Sequence, residues 1–407
     1  MFWDAASGCL VRDVDGNVFL DLSAAFGAAA VGHSHPRVVQ AIQDQSTKLI
    51  HGMGDVHPPA IKVKLAHRLA DLTPGRLRQV ILGCNGSDAV EAALKTAQLA
   101  TGRPGVIAFE GAYHGLSYGA LNVTSRDDFR LPFLDQIGQF GHHVPYPASG
   151  SDITADVSLD RVELALTRSQ RPVGAVIVEP IQGRGGIIVP PPGWFTQLAE
   201  LTRRHGALLI ADEIFTGCGR TGPMFASETT PDLLCVGKAM GGGFPISACI
   251  GTPEVMAAWG ESRGEAIHTS TYLGHPLGCA AALATLDVIE KEQLLGRVRS
   301  AGERLTAGLV TAKESNPLIG EIRGKGLMIG IELIRSDGSP ANGAGAPIML
   351  ELLRRGIIVL PAGPAGNVIE LIPPYIISNE QIDYAVAALA EAIGSWSAGQ
   401  ACQSTPA

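Results

Sequence analysis

Ala207-Leu208-Leu209-Ile210-Ala211-Asp212-Glu213-Ile214-Phe215 decides the architecture. Five apolar residues in a row, ended by two carboxylates, read as a strand buried on both faces. Similar runs stand at residues 79–82, 105–109, 175–178, 233–236 and 246–250, with helical spacing at 87–100 and 193–205 between several of them. That alternation predicts an α/β domain with a mainly parallel, doubly wound sheet. Ahead of it, residues 9–22 alternate around Asp15-Gly16-Asn17 as a hairpin, and 37–49 and 61–72 read as helices. Behind it come a long helical region at 276–312, strands at 327–333, 356–360 and 368–372, and a helix at 380–393, which together predict a smaller α+β lobe. Residues 145–156 and 337–347 read as loops, and the polar stretch from Ser397 as a frayed tail.

The bulk numbers narrow the function. At 407 residues, with 46% hydrophobic and 17% charged residues, the chain can bury a large shared core and is not disordered. A net charge of -8 without a long Lys/Arg run argues against nucleic acid or an anionic membrane and favours small-molecule partners. Seven scattered cysteines show no paired metal-ligand spacing, so reduced thiols and no metal site are expected. Met1-Phe2-Trp3-Asp4 lacks a signal-peptide pattern and no apolar run is long enough to span a membrane, so the expected location is the cytoplasm.

Three features could carry chemistry. Gly83-Cys84-Asn85-Gly86-Ser87-Asp88 turns from a strand into a helix, a geometry whose free N–H groups bind phosphate, although any such turn needs glycine and a cap. Asp212 stands at a strand's carboxyl end, and Ile214 lies two residues on, so an acid and an apolar side chain could meet one flat ligand. Lys238, in Val236-Gly237-Lys238-Ala239-Met240-Gly241-Gly242-Gly243, lies between an apolar strand and a glycine run that would desolvate its amine. Taken singly, each also has a bland reading as a turn, a strand cap and a surface lysine.

Together, in this order and with 26 residues between Asp212 and Lys238, they resemble the class III (ω-type) aminotransferases. Ala211 to Gly222 is similar to that family's central signature, and Gly237-Lys238 with Gly241 to Pro245 to its lysine site. Tyr113-His114-Gly115, Glu179-Pro180-Ile181-Gln182-Gly183, Thr269-Ser270-Thr271-Tyr272, Arg323-Gly324-Lys325-Gly326-Leu327 and Pro373-Pro374 extend the likeness over nearly the whole chain. The resemblance implies fold type I, with 1–45 and 291–396 forming a small domain, 46–290 a large pyridoxal-phosphate-binding domain, and 397–407 a flexible tail. It also implies a homodimer, with a dimer of dimers as the alternative, and a site at the subunit boundary.

By that resemblance Lys238 holds pyridoxal 5'-phosphate as a Schiff base and later moves the substrate proton. Asp212 bonds the pyridine nitrogen, Tyr113 and Ile214 enclose the ring, Gly86 and Ser87 hold the phosphate, Thr271 reaches across from the partner, and Glu179 supports the site. Departures from the family concern the substrate. Leu116 stands where many members place arginine, Phe215 replaces a glutamine, His275 an asparagine, and Phe26 a substrate-facing tyrosine. Arg184 and Glu370 look like a family Glu–Arg pair with its ends exchanged. They are therefore expected to form a salt bridge, either purely structural or opening so that Arg184 meets an acceptor carboxylate and Glu370 a second amine on the donor. The implied reaction transfers an amino group from an amine, ω-amino acid or diamine to a 2-oxo acid. Racemisation, amino migration and decarboxylation are the alternatives on the same scaffold. A nicotinamide-dinucleotide reading fails for want of G-x-G-x-x-G in the turn, and a non-catalytic binder would not need Lys238.

Overall fold

The computed structural model of the chain describes residues 1–261, 264 and 266–403. Its first strands, β1 (Trp3–Ser7), β2 (Leu10–Asp13) and β3 (Val18–Asp21), pair antiparallel in sequence order. The Asp13 carboxylate fixes the expected hairpin by accepting the N–H groups of Asp15 and Asn17 at 3.0 and 2.9 Å. The helices Pro36–Ser46 and Ala60–Leu72 follow.

The central sheet contains β4 (Gln79–Gly83), β5 (Gly105–Phe109), β6 (Gly141–Val144), β7 (Val173–Val178), β8 (Leu208–Asp212), β9 (Leu233–Val236) and β10 (Ser247–Gly251), in the order β4-β10-β9-β8-β7-β5-β6. All six residues of β7 are buried, and burying each of its valines and its isoleucine contributes roughly 1.5–3 kcal/mol. The sheet is mainly parallel as expected, and only the run at 246–250, read with the others as a parallel strand, is corrected: it becomes β10, which runs antiparallel to both β4 and β9. Between Val236 and Ser247 the chain is too short for the dozen or more residues of a parallel crossover, so it reverses there, and the reversal carries Lys238. The edge strand β6, Gly-His-His-Val, escaped the sequence reading because its two histidines interrupt the apolar signal.

In the C-terminal part, β11 (Ile319–Lys325), β12 (Met328–Leu333), β13 (Ile357–Ile358), β14 (Leu360–Ala362) and β15 (Val368–Leu371) follow in the chain. Four of them make an antiparallel sheet in the order β11-β12-β15-β14, while β13 pairs parallel with β3 and so ties the two ends of the chain together. The strand β11 was not expected, and the strand read at 356–360 divides into β13 and β14. The helical region read as continuous breaks at Gln293, at φ +53°, into Pro276–Lys291 and Leu294–Glu314. The two loops are shorter than read, since helices begin at Ala155 and at Gly345. The closing helix, Asn379–Gln403, continues past Ile393 and Ser397, where a frayed tail was expected; residues 404–407 lie outside the described residues. No helix among the described residues is long and apolar enough to cross a membrane.

Candidate active site

The carboxyl ends of β4, β8 and β9 converge on a cavity of about 200 Å³ lined by Asn85, Gly86, Ser87, Tyr113, His114, Gly115, Glu179, Arg184, Asp212, Ile214, Phe215 and Lys238. One end is the start of the helix Gly86–Thr101. Asn85 and Asp88 cap it reciprocally, Asn85 Oδ1 accepting the Asp88 N–H at 3.1 Å. The N–H groups of Gly86 and Ser87 therefore remain for a ligand, as first-turn donors have no partner within the helix. A Cβ at 86 would crowd Ile214 at 3.0 Å, and glycine is required at 115, with φ +120°, where a Cβ would overlap Ser87 Oγ.

At the other end Asp212, last residue of β8, accepts the Ile214 N–H on one carboxylate oxygen at 3.1 Å and meets His114 Nδ1 with the other at 2.7 Å. Both side chains are buried. The sequence reading gives His114 no role, since a histidine in the loop that follows β5, which ends at Phe109, carries no spacing signal that joins it to Asp212. Its Nε2 is buried without a hydrogen-bond partner. Glu179 accepts the backbone N–H of Tyr113 at 3.0 Å and of Gly183 at 2.9 Å, which holds the Tyr113 loop over the cavity. Burial raises the Glu179 carboxyl above its ordinary range despite these bonds. Glu213, beside Asp212, is instead consumed in structure: it accepts from Thr216, Ala226 and Ser227.

Lys238 begins a short turn, Lys238–Gly241, with φ +41°, a conformation that costs energy for a residue bearing Cβ. Its Nζ stands 3.8 Å from the centre of the Phe215 ring. Desolvation pulls the Lys238 amine below the usual lysine range, against the attraction of Glu370, Glu179 and Asp212, with Arg184 adding to the depression. Phe215 thus belongs to the site, although the sequence marked it only as a departure.

The cavity brings together Gly86, Ser87, Tyr113, Glu179, Arg184, Asp212, Ile214 and Lys238. Thr271 is exposed and lines no part of it. Phe26, 64% exposed, stands outside its lining, in a turn whose Gly27 packs on Phe215 and Lys238. Glu370, on β15, is buried with one carboxylate oxygen lacking a hydrogen-bond partner. The expected Arg184–Glu370 salt bridge is corrected: among the described residues no ion pair joins them, and Arg184 donates to the Pro361 carbonyl at 3.4 Å. Arg184 is still the leading cation acting on Glu370, whose carboxyl burial raises. Among the described residues no three His, Cys, Asp or Glu side chains converge as metal ligands.

These residues fit pyridoxal phosphate: free helix N–H groups for a phosphate, an anchored carboxylate for a protonated ring nitrogen, apolar and aromatic walls for a flat ring, and an amine for an aldehyde carbon. The comparisons agree. The family model for aminotransferase class-III matches residues 1–393. The chain is similar to the 5-aminovalerate aminotransferase of Pseudomonas putida, 36% identical with 96% of this chain and 93% of that protein covered. It is also similar to an alanine/serine racemase of Pyrococcus horikoshii, 35% identical with 95% and 84% covered. Among solved structures, an amine transaminase from an uncultivated Pseudomonas species in its PLP-bound form superposes with a TM-score of 0.90 at 32% identity, covering 97% of this chain and 95% of that one.

Proposed function

The chain belongs to the class-III aminotransferases, and on that premise we propose that it transfers an amino group from a primary amine, ω-amino acid or diamine to pyruvate or 2-oxoglutarate in two half-reactions at the Lys238 cavity. The observation that carries this reading is that a partly accessible Lys238 lines one cavity with Asp212, Tyr113 and the Gly86-Ser87 helix start. Pyridoxal phosphate, when bound, would supply an electron sink for the carbon from which a proton is removed. Lys238 would have two tasks: its Nζ would hold the cofactor's aldehyde carbon, and as a free amine it would take up and return the substrate proton. Asp212 would hold the ring nitrogen charged, Tyr113 and Ile214, which line the cavity, would flank the ring, and Gly86 and Ser87 would hold the phosphate, while Glu179 keeps the Tyr113 loop in place.

Thr271 of the partner subunit completes the phosphate site in a homodimer. That assignment is supported by its exposure and by the exposed apolar side chains of Ile50, Met53, Val56 and Tyr272. The protein acts in the cytoplasm and takes no nucleic acid or membrane as partner. Arg184, which lines the cavity, receives the acceptor's carboxylate; Phe26, exposed outside that lining, offers an apolar wall at the donor's entry; Glu370, buried with one carboxylate oxygen unpartnered, meets a second amine. The similarity to a 5-aminovalerate aminotransferase favours a donor amine at the end of a chain.

The test is a panel of donors with each oxo acid, followed by formation of alanine or glutamate. No transfer from any donor, with loss of optical rotation of a single amino acid instead, would favour racemisation, the activity of the Pyrococcus horikoshii relative. Glu370→Ala is expected to lower kcat/KM about tenfold for diamines and little for monoamines. An equal loss for both classes removes Glu370 from substrate recognition.

A further inference from the structure

Ala24, Ala25, Phe26 and Gly27 have φ of +44°, +47°, +60° and +82° in succession. Residues with Cβ visit this left-handed region as single residues, and a run of three persists only where its surroundings over-determine it. The turn begins three residues after Asp21 and lies against the catalytic lysine: a Cβ at Gly27 would stand 2.9 Å from Phe215 Cε2 and 3.8 Å from Lys238 Cδ.

One carboxylate organises the run. Asp21, fully buried, accepts Ser23 N–H at 2.8 Å and Ser23 Oγ at 2.6 Å on one oxygen, and Ala25 N–H at 3.0 Å on the other. The second oxygen also meets His33 Nε2 at 2.8 Å. Against a carboxylate the imidazole nitrogen must donate. His33 is fixed in turn by reciprocal backbone bonds with Gly8, at 3.0 and 2.8 Å, and by Trp3, edge-on with ring centres 5.8 Å apart. Neither Asp21 nor His33 lines the cavity.

We propose that Asp21 and His33 are positioning residues for amino transfer, locking the left-handed turn 24–27 so that Gly27 backs the Lys238 stem and Phe215 and Phe26 stands at the donor's entry. The inference rests on the amino-transfer reading, and its first readout does not. In holoenzyme, His33→Ala is expected to raise hydrogen exchange of the Ala25 amide about tenfold or more, because the Asp21 oxygen that accepts it loses the imidazole that also holds it in place. KM for the amine donor rises about tenfold while kcat at saturating donor falls less than threefold, since the reacting groups keep their places once the donor is bound.

Two variants separate a lock from a general packing role. His33→Gln retains an amide N–H donor toward Asp21 and is expected to restore most of the exchange protection and the KM. Ala25→Gly added to His33→Ala removes the steric penalty of the left-handed turn and should restore both as well. Unchanged exchange at Ala25 in His33→Ala overturns the lock, whatever the activity. Equal losses of kcat and kcat/KM with no recovery in either rescue variant assign the pair to packing alone. A chain that transfers amino groups from no donor, yet shows the exchange pattern above, refutes the amino-transfer reading and leaves the lock standing.

Discussion

Lys238→Arg is expected to reduce amino transfer at least about 10³-fold, the scale on which a positioned nucleophile and proton carrier contributes. A guanidinium stays protonated in any protein and can neither bond an aldehyde carbon as an amine nor accept a proton. Arginine also presents a wider planar group where Phe215 already stands 3.8 Å from Nζ. Lys238→Ala should fall as far, and added methylamine should recover part of the second loss, because the pocket's other groups remain. Recovery in the arginine variant is not expected. The depressed amine adds a pH signature to the free protein. Desolvation lowers its folded pKa below the unfolded value of about 10.4, so the unfolded chain binds more protons between the two values. Stability of the cofactor-free protein therefore rises with pH from the folded pKa up to about 10.4, and the strain of the buried charge is full below that window. Lys238→Met should flatten that slope in denaturation measured across alkaline pH. Normal turnover by the arginine variant would end the assignment of Lys238.

The parts of this site legible in the sequence are those fixed by local chain order. An apolar run ended by Asp212, a glycine turn opening a helix and a lysine flanked by glycine each follow from a few neighbouring residues, and the resemblance joined them. What stayed hidden depends on tertiary distance. The bond between His114 and Asp212 spans 98 residues of sequence, and the approach of Phe215 to Lys238 needs the reversal between β9 and β10. That reversal could have been read from the short Val236–Ser247 spacing, since parallel strands need a longer crossover. Arg184 and Glu370 illustrate the opposite error: opposite charges at family-related positions suggested a salt bridge, but Arg184 donates to a backbone carbonyl and Glu370 is buried with one carboxylate oxygen unpartnered. The left-handed turn at 24–27 had no signal at all, because Ala-Ala-Phe avoids that conformation in isolation.

Asp212→Asn is expected to lower kcat about 10²- to 10³-fold, comparable with loss of one pre-organised group at a developing charge. The amide has nearly the same shape but no negative charge to hold a ring nitrogen protonated, and one end of it becomes a donor. Its surroundings accentuate that change. Ile214 N–H points at one oxygen and His114 Nδ1 at the other, so whichever way the amide turns, its NH₂ faces a group that donates to the carboxylate. His114→Phe removes one of these donors while filling the buried ring's space, and is expected to cost about tenfold in kcat by letting the carboxylate rotate. If His114 acts through Asp212, the two losses do not add: Asp212→Asn with His114→Phe should be no slower than Asp212→Asn alone, and the donor conflict at the amide should be partly relieved. Cofactor affinity, measured by equilibrium dialysis, should follow the same pattern. Losses that multiply in the double variant would show that the two side chains serve the reaction separately, and the 2.7 Å contact would then be incidental to it.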